Sequence, residues 1–214
     1  MRGARVDRLF RREELALDPV DLGHLLLGAV LEADAPDGTV GVRLVEVEAY
    51  RGFDDPASHS FRGKTPRNAL MWGPAGYLYV YFVYGMHFCA NVISGEDDEP
   101  GGVLLRAAEV VQGADIVRAR RPHARGNGEL AKGPAILTSV LRVDLTQNGV
   151  DLTDPSSPVR LRVGERVPPE RIRSGPRVGV ATGIDTPWRF WVDGSPAVST
   201  YRRGGKRRQV RPAG

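Results

Sequence analysis

The segment Val40 to Tyr50 reads as an interior β-strand that carries two carboxylates, and no other stretch restricts the fold and its use as much. Period two places Val40, Val42, Leu44, Glu46, Glu48 and Tyr50 on one face, with Val45, Val47 and Ala49 on the other. Both faces are partly apolar, as expected of a strand with neighbours on either side. A carboxylate in such a strand is costly unless it is paired or used in chemistry. His59 follows in a polar loop, and then comes the run Tyr77-Leu-Tyr-Val-Tyr-Phe-Val-Tyr-Gly85. Flat aromatic side chains of this kind hold planar bases by stacking. Carboxylates and aromatics together point to a site in which a nucleobase stacks beside a general base.

The rest of the chain reads as one mixed α/β domain. Its 214 residues are 41% hydrophobic, enough for a packed core and too apolar for general disorder. The 26 glycines and 16 prolines imply many turns and short elements. Asp18-Pro19 opens a helix, with Asp18 as N-cap, Pro19 at N1 and an apolar face of Leu22, Leu25 and Leu26. A strand from about Ala29 leads through the turn Pro36-Asp-Gly-Thr39 into Val40–Tyr50. Loop 51–64 carries His59, and a short helix is expected at 66–71. Tyr77–Val83 and His87–Ile93 read as a hairpin reversing at Tyr84-Gly85-Met86, where glycine takes a positive φ. A strand at Val103–Ala107, helices at 109–120 and 134–142, and strands near 159–163, 177–181 and 188–193 complete the expectation. Residues 1–14 read as a polar arm, 15–200 as the domain and 201–214 as a basic tail.

Composition excludes several classes. The longest apolar runs are far short of a membrane span, and Met1-Arg-Gly-Ala-Arg opens no signal peptide. A single cysteine, Cys89, rules out an internal disulfide and suits a reducing cytoplasm. The four histidines and Cys89 show no metal-ligand spacing, so neither metal nor cofactor is expected. Phosphate-binding glycine loops and the Gly-x-Ser-x-Gly elbow are also missing from the sequence. The net charge of +4 is a weak guide to nucleic acid. Six of the 30 Lys and Arg residues lie in 201–214, and the remaining 24 are outnumbered by 26 acidic residues. A second basic cluster, Arg118, Arg120, Arg121 and Arg125, sits at an expected helix end.

Taken singly, each candidate has an ordinary structural explanation. Glu46 and Glu48 would each end in an ion pair with an arginine, and Arg106, in the apolar run Val103-Leu-Leu-Arg-Ala-Ala108, is a matching partner. Alternate tyrosines on a strand are usually sheet packing. Tyr84 at a hairpin tip is different, because an aromatic there has to touch something.

The blocks Val45-Glu-Val-Glu-Ala-Tyr50, Ala57-Ser-His59, Thr65-Pro-Arg-Asn68, Tyr79-Val-Tyr-Phe-Val-Tyr-Gly-Met86, Phe88-Cys-Ala-Asn91, Val103-Leu-Leu-Arg-Ala107 and Arg177-Val-Gly179 together resemble the alkyladenine (3-methyladenine) DNA glycosylase family. They occur in the same order, and the resemblance covers roughly residues 18–200. It implies a curved antiparallel sheet with surrounding helices and a protruding, DNA-intercalating β-hairpin. It also implies a monofunctional, cofactor-free enzyme that flips a damaged purine from double-stranded DNA and hydrolyses its N-glycosidic bond. Glu48 would then be the general base for the attacking water, which Arg106 and the Val178 carbonyl would hold. Tyr50 would stack on one face of the base and His59 and Tyr81 on the other, with Asn91 rejecting normal guanine. Tyr84, with Met86 beside it, would fill the gap in the DNA. Arg202, Arg203, Lys206, Arg207 and Arg208 would contact the DNA backbone, and a monomer is expected. His87 and Ala90 depart from the family pattern near the hairpin tip and bear on substrate range. Two rivals stay open at this point. One is a nucleic-acid-binding module of the same fold without catalysis. The other is a hydrolase of small nucleosides or glycosides using Glu46 and Glu48 as a pair, about 7 Å apart along one strand.

Overall fold

The structure is a computed structural model that describes residues 8–83, 85–95 and 98–204. Within them nine strands form one sheet: β1 (Val30–Ala35), β2 (Gly38–Tyr50), β3 (Leu78–Val83), β4 (His87–Ile93), β5 (Gly102–Gln112), β6 (Ala131–Lys132), β7 (Val159–Arg162), β8 (Ile172–Gly175) and β9 (Arg189–Val192). The main order is β3-β4-β5-β2-β1-β7; β6 pairs with β5, β9 with β2, and β8 with β9. Every pairing is antiparallel and the sheet does not close on itself. The mixed α/β, single-domain expectation holds, with the sheet at its centre.

Local sequence accounts for the elements. The helix α1 (Arg12–Leu15) is a single turn, and α2 (Pro19–Leu26) starts as its capping residues require. The Asp18 carboxylate accepts from the Val20 N–H at 2.8 Å. Leu22 and Leu26 of α2 are buried, whereas Leu25, expected on the same face, is exposed. The helices α3 (Ala114–Arg120) and α4 (Pro134–Leu141) follow later, α4 with proline at its first position. Side chains of α2 and α4 share one core with Val42, Leu44, Val47 and Ala49 of β2 and Val103 and Leu105 of β5. The helices therefore cover one face of the sheet, which leaves the other face free for a site.

The strict alternation expected along β2 is broken at Val45. Leu44 pairs with Ala108 of β5, Glu46 with Ala107 and Val47 with Leu105, so Val45 and Arg106 are both left over. Each strand carries one extra residue at the same place, a pair of facing bulges. A bulge advances the chain by one residue and reverses the phase of everything beyond it. Val40, Val42 and Leu44 thus share the helix-covered core with Val47 and Ala49, and the carboxylates face the other way. Val45 packs instead with Ala107 and Ala197 on that second face.

Several further expectations are corrected. The arm expected at 1–14 is packed from Leu9 onward: Leu9 bridges to Arg162 and Phe10 is buried in the core. Burial of Phe10 draws in a segment whose charges alone suggested solvent. The helix expected at 109–120 begins at Ala114, because Glu109–Gln112 extend β5 up to Gly113, whose φ of 71° starts the helix. The short helix at 66–71 is a 3₁₀ turn, Ala69–Trp72. Residues 177–181 form no strand; they are a loop held by the side chain of Arg177. Of the hairpin tip, Tyr84 lies outside the described residues, whereas Met86 is 71% exposed beside Gly85, whose φ is 69°. Of the expected DNA-backbone residues, Arg202 and Arg203 are exposed, and Lys206, Arg207 and Arg208 lie outside the described residues.

Candidate active site

The site lies on the face opposite the helices, along a row of paired residues. Tyr79 pairs with Asn91 across β3 and β4, Asn91 with Leu104 across β4 and β5, Leu104 with Glu48 across β5 and β2, and Glu48 with Arg189 of β9. Antiparallel register thus brings residues far apart in sequence onto one line, with neighbouring strands about 4.8 Å apart.

Glu46 and Glu48 are both fully buried and lie within the same arginine's reach. Arg106 Nε donates to Glu46 Oε1 at 3.2 Å, and Arg106 Nη1 donates to Glu48 Oε2 at 3.3 Å. The two carboxylates differ in what else they accept. Glu46 Oε1 also takes Arg189 Nε at 2.7 Å and the Ser199 hydroxyl at 2.8 Å, and Glu46 Oε2 takes the Ser199 N–H at 2.6 Å. Glu46 thus accepts four hydrogen bonds, three on Oε1 and one on Oε2, from two arginines and one serine. Glu48 Oε2 receives the Tyr50 hydroxyl at 2.8 Å in addition to Arg106, and among the described residues Glu48 Oε1 receives the Val178 N–H alone, at 2.6 Å. Glu48 is thus held by one arginine, a tyrosine and a backbone amide, where Glu46 is held by two arginines and Ser199.

Burial raises the pKa of Glu48. Arg106, the Val178 amide and the Tyr50 hydroxyl oppose this rise, and Glu46 adds to it. The carboxyl is thereby tuned upward while remaining among hydrogen-bond donors, a state suited to exchanging a proton above the ordinary glutamate range. Tyr50 is raised well above its ordinary value, first by burial and then by the Glu48 charge, so its hydroxyl stays a donor.

The aromatic wall comes from β3 and loop 51–64. The ring centroids of His59 and Tyr81 lie 4.5 Å apart, edge to face, and Tyr79 stacks on Tyr81 at 5.4 Å. Tyr50 makes no ring contact with His59 or Tyr81 among the described residues. Tyr81 is nonetheless near enough to Tyr50 to add to the upward shift of its hydroxyl. Loop 51–64 is held by Asn68, whose side-chain N–H groups donate to the carbonyls of His59 at 2.8 Å and Gly63 at 3.1 Å. The Asn68 Oδ1 in turn accepts from Thr65 N at 2.6 Å, which explains Thr65 and Asn68 as a spaced pair. Asn91 is buried, and its Nδ2 donates to the Tyr79 carbonyl at 3.3 Å.

Glu48, Arg106, Tyr50, Tyr81 and His59 therefore converge. Val178 reaches Glu48 through its N–H. The sequence alone does not mark Asn68, Arg189 or Ser199 as site residues; an arginine in the apolar run Trp188-Arg-Phe-Trp191 is the only available sign of Arg189. Among the described residues no group of three or more His, Cys, Asp or Glu side chains is arranged to hold a metal. Nor is any helix among them long and apolar enough to cross a membrane.

The chain is similar to known proteins along most of its length. A chain from Nocardia farcinica, named "Putative 3-methyladenine DNA glycosylase", is 54% identical over 196 residues, covering 89% of this chain and 91% of the relative. Relatives of the same name from Rhodococcus jostii and Streptomyces avermitilis are 51% and 48% identical, over 94% and 92% of this chain and 87% and 94% of their own lengths. The family model described as Methylpurine-DNA glycosylase (MPG) matches residues 13–196. The protein belongs to the methylpurine-DNA glycosylase family.

Proposed function

We propose that the protein is a monofunctional DNA glycosylase acting on alkylated and deaminated purines in duplex DNA, with 3-methyladenine, 7-methylguanine, hypoxanthine and ethenoadenine as its substrate class. The observation that carries this reading is the different surroundings of the two buried carboxylates. Glu46 is tied to two arginines and to Ser199 and is structural, whereas Glu48 is held by one arginine, takes the Tyr50 hydroxyl at the aromatic wall and takes the Val178 N–H on Oε1. A water bound there gives its proton to Glu48 as its oxygen attacks C1′ of the deoxyribose. The C1′–N bond breaks with its electron pair going to the purine, and an abasic site remains. Arg106 stabilises the carboxylate, and the Val178 carbonyl is assigned to the same water.

The lesion is extruded into the slot between Tyr50 and the His59–Tyr81 pair. A purine alkylated at N3 or N7 is cationic, so it stacks well on tyrosine faces and is a better leaving group. Asn91, on the floor of the row, rejects guanine by its exocyclic amino group. Tyr84 and Met86 at the hairpin tip occupy the gap in the duplex. Water as nucleophile also fits the lysines: Lys132 Nζ donates to the Pro196 carbonyl and Lys64 lies over Trp72, so neither described lysine is at Glu48.

Incubation with duplexes carrying each lesion, followed by detection of abasic sites, tests the reading. Wild type should form them, and Glu48→Gln should be slower by about three orders of magnitude while still binding DNA. Absence of abasic sites on every duplex overturns the activity. A dead Glu46→Gln beside an active Glu48→Gln overturns the choice of base.

A further inference from the structure

The loop that carries Val178 is held by a buried ion pair that no part of the mechanism above uses. Arg177 and Asp55 are each 1% exposed. Arg177 donates to Asp55 through both terminal nitrogens, at 2.5 and 2.8 Å, and through Nη1 also to the Ala49 carbonyl of β2 at 3.0 Å. Its guanidinium lies 4.6 Å from the centroid of the Tyr50 ring and 5.3 Å from that of Trp188. Asp55 is itself oriented by the Ala57 N–H at 3.0 Å, and Thr182 ties the two loops together by donating to the Pro56 carbonyl at 2.8 Å.

Taking two charges out of water is expensive, and apolar side chains of equal volume would hold two loops together at least as well. What a bidentate fork adds is direction, because both N–H···O bonds have to be satisfied in one plane. The direction it sets here is that of the next residue. The Val178 N–H points at Glu48 Oε1, and the following amide, Gly179 N–H, is tied to the Arg202 carbonyl at 3.0 Å. We propose that Asp55 and Arg177 form the positioning device of this site, fixing the Val178 amide on Glu48 and backing the Tyr50 ring. The assignment rests on Glu48 being the general base.

The consequence is visible in how Glu48 ionises. Its surroundings are Glu46 and Tyr50 on β2, Arg106 on β5, Tyr81 on β3, Cys89 on β4, and Arg177 and the Val178 amide on the loop. Among these the Val178 amide favours the ionised carboxylate, against the effect of burial. Asp55→Asn separates positioning from simple electrostatics by sign. Removal of a negative charge from the neighbourhood should ease ionisation of Glu48 and move the acid limb of the reaction down. Loss of the fork releases the amide, makes ionisation harder and moves the limb up.

The experiment is single-turnover excision from a damaged duplex, followed across pH, with a thermal midpoint for each variant. Asp55→Asn should move the acid limb upward by about one pH unit, the effect of one charge-assisted hydrogen bond. At a pH below the wild-type limb its rate should be about tenfold lower. Arg177→Lys, which keeps the charge and loses the fork, should move it the same way. Asp151→Asn, which opens the Arg12–Asp151 pair outside this network, serves as the control for reduced stability and should leave the limb in place. A limb that stays put or moves down in Asp55→Asn overturns the proposal. If that variant does not fold, the same criterion applied to Arg177→Lys decides. A wild type that forms no abasic sites overturns the glycosylase reading and the proposal with it, an outcome distinct from an active enzyme with an unmoved limb.

Discussion

Arg106 and Glu48 lie on neighbouring antiparallel strands, and Nη1 of the arginine donates to Oε2 of the carboxylate at 3.3 Å. The same guanidinium donates through Nε to Glu46, so one cation is shared between two buried anions, with Arg189 supplying the second positive charge at Glu46. Arg106 reaches this position because it lies two residues beyond Leu104, the partner of Glu48, and so shares its face, opposite to that of Val103 and Leu105.

Replacement of Arg106 by Ala leaves Glu48 buried without its cation. A broken buried pair costs about 3–5 kcal/mol, and loss of one preorganised electrostatic partner costs roughly 10²–10³ in rate. Urea denaturation and single-turnover excision should show both losses. Arg106→Lys should retain more stability than activity, since a lysine keeps the charge but lacks the planar fork that sets Nε on Glu46 and Nη1 on Glu48.

Glu46→Gln and Glu48→Gln should separate stability from activity. Glu46 anchors Arg106, Arg189 and Ser199, so its amide variant should melt at a lower temperature than the Glu48 variant. Glu48→Gln should be the more damaging to excision. Thermal melts and abasic-site yields measured on the same preparations check both halves.

The raised pKa of Glu48 has an opposite sign from that of an exposed, ion-paired acid. A carboxyl whose folded value exceeds its unfolded one binds more protons in the native state, so its contribution to stability falls as pH rises through that window. The wild type should therefore lose stability relative to Glu48→Gln as pH rises from the ordinary glutamate range to the raised value. Excision should fall as pH drops through the raised value, above the range of an ordinary glutamate. Parallel pH series of melting temperature and rate measure the two effects.

Asn68→Ala should loosen the loop that presents His59. It removes the side-chain partner of two carbonyls and of the Thr65 N–H, and because His59 and Thr65 are exposed water replaces part of what is lost, so the cost is about 0.5–1.5 kcal/mol for each hydrogen bond. Affinity for damaged duplex should weaken more than the single-turnover rate at saturation, because loop order, rather than the base, is lost. Binding and saturating-rate measurements on one preparation distinguish the two.

Arg202 and Arg203 are exposed beside the loop of Val178. If they neutralise phosphates, the double Ala variant should weaken duplex binding and flatten its dependence on salt. The log–log slope should drop by up to about 0.9 for each phosphate that is no longer neutralised. An unchanged slope across salt concentrations removes both residues from the interface.

Much of this protein is legible in its sequence where the signal is local. The capped helix at Asp18-Pro19, the turn before β2, the hairpin of β3 and β4 and the carboxylates on a buried strand all follow from neighbouring residues. The resemblance carried by the ordered motif blocks points to Glu48, Arg106, Tyr50, His59 and Tyr81 as a set, although spacing along β2 leaves Glu46 and Glu48 interchangeable. Local signal misleads where a distant partner decides. Phe10 sits in a charged segment but finds the core, and Glu109–Gln112 carry a helix-like pattern yet continue β5.

What only the tertiary structure decides is direction and partners. A period-two count puts Val40, Val42 and Leu44 with the carboxylates. The paired bulges at Val45 and Arg106 reverse that phase, because the register between two strands is a property of both. The difference in surroundings between Glu46 and Glu48 likewise depends on donors from Ser199, Arg189 and Val178, which lie 153, 143 and 130 residues further along the chain. Sequence by itself determines which groups are present and which faces they favour. Which hydrogen bonds each buried group completes depends on backbone brought in from elsewhere, and here that ties Glu46 to Arg189 and Ser199 and sets Glu48 against the Val178 amide.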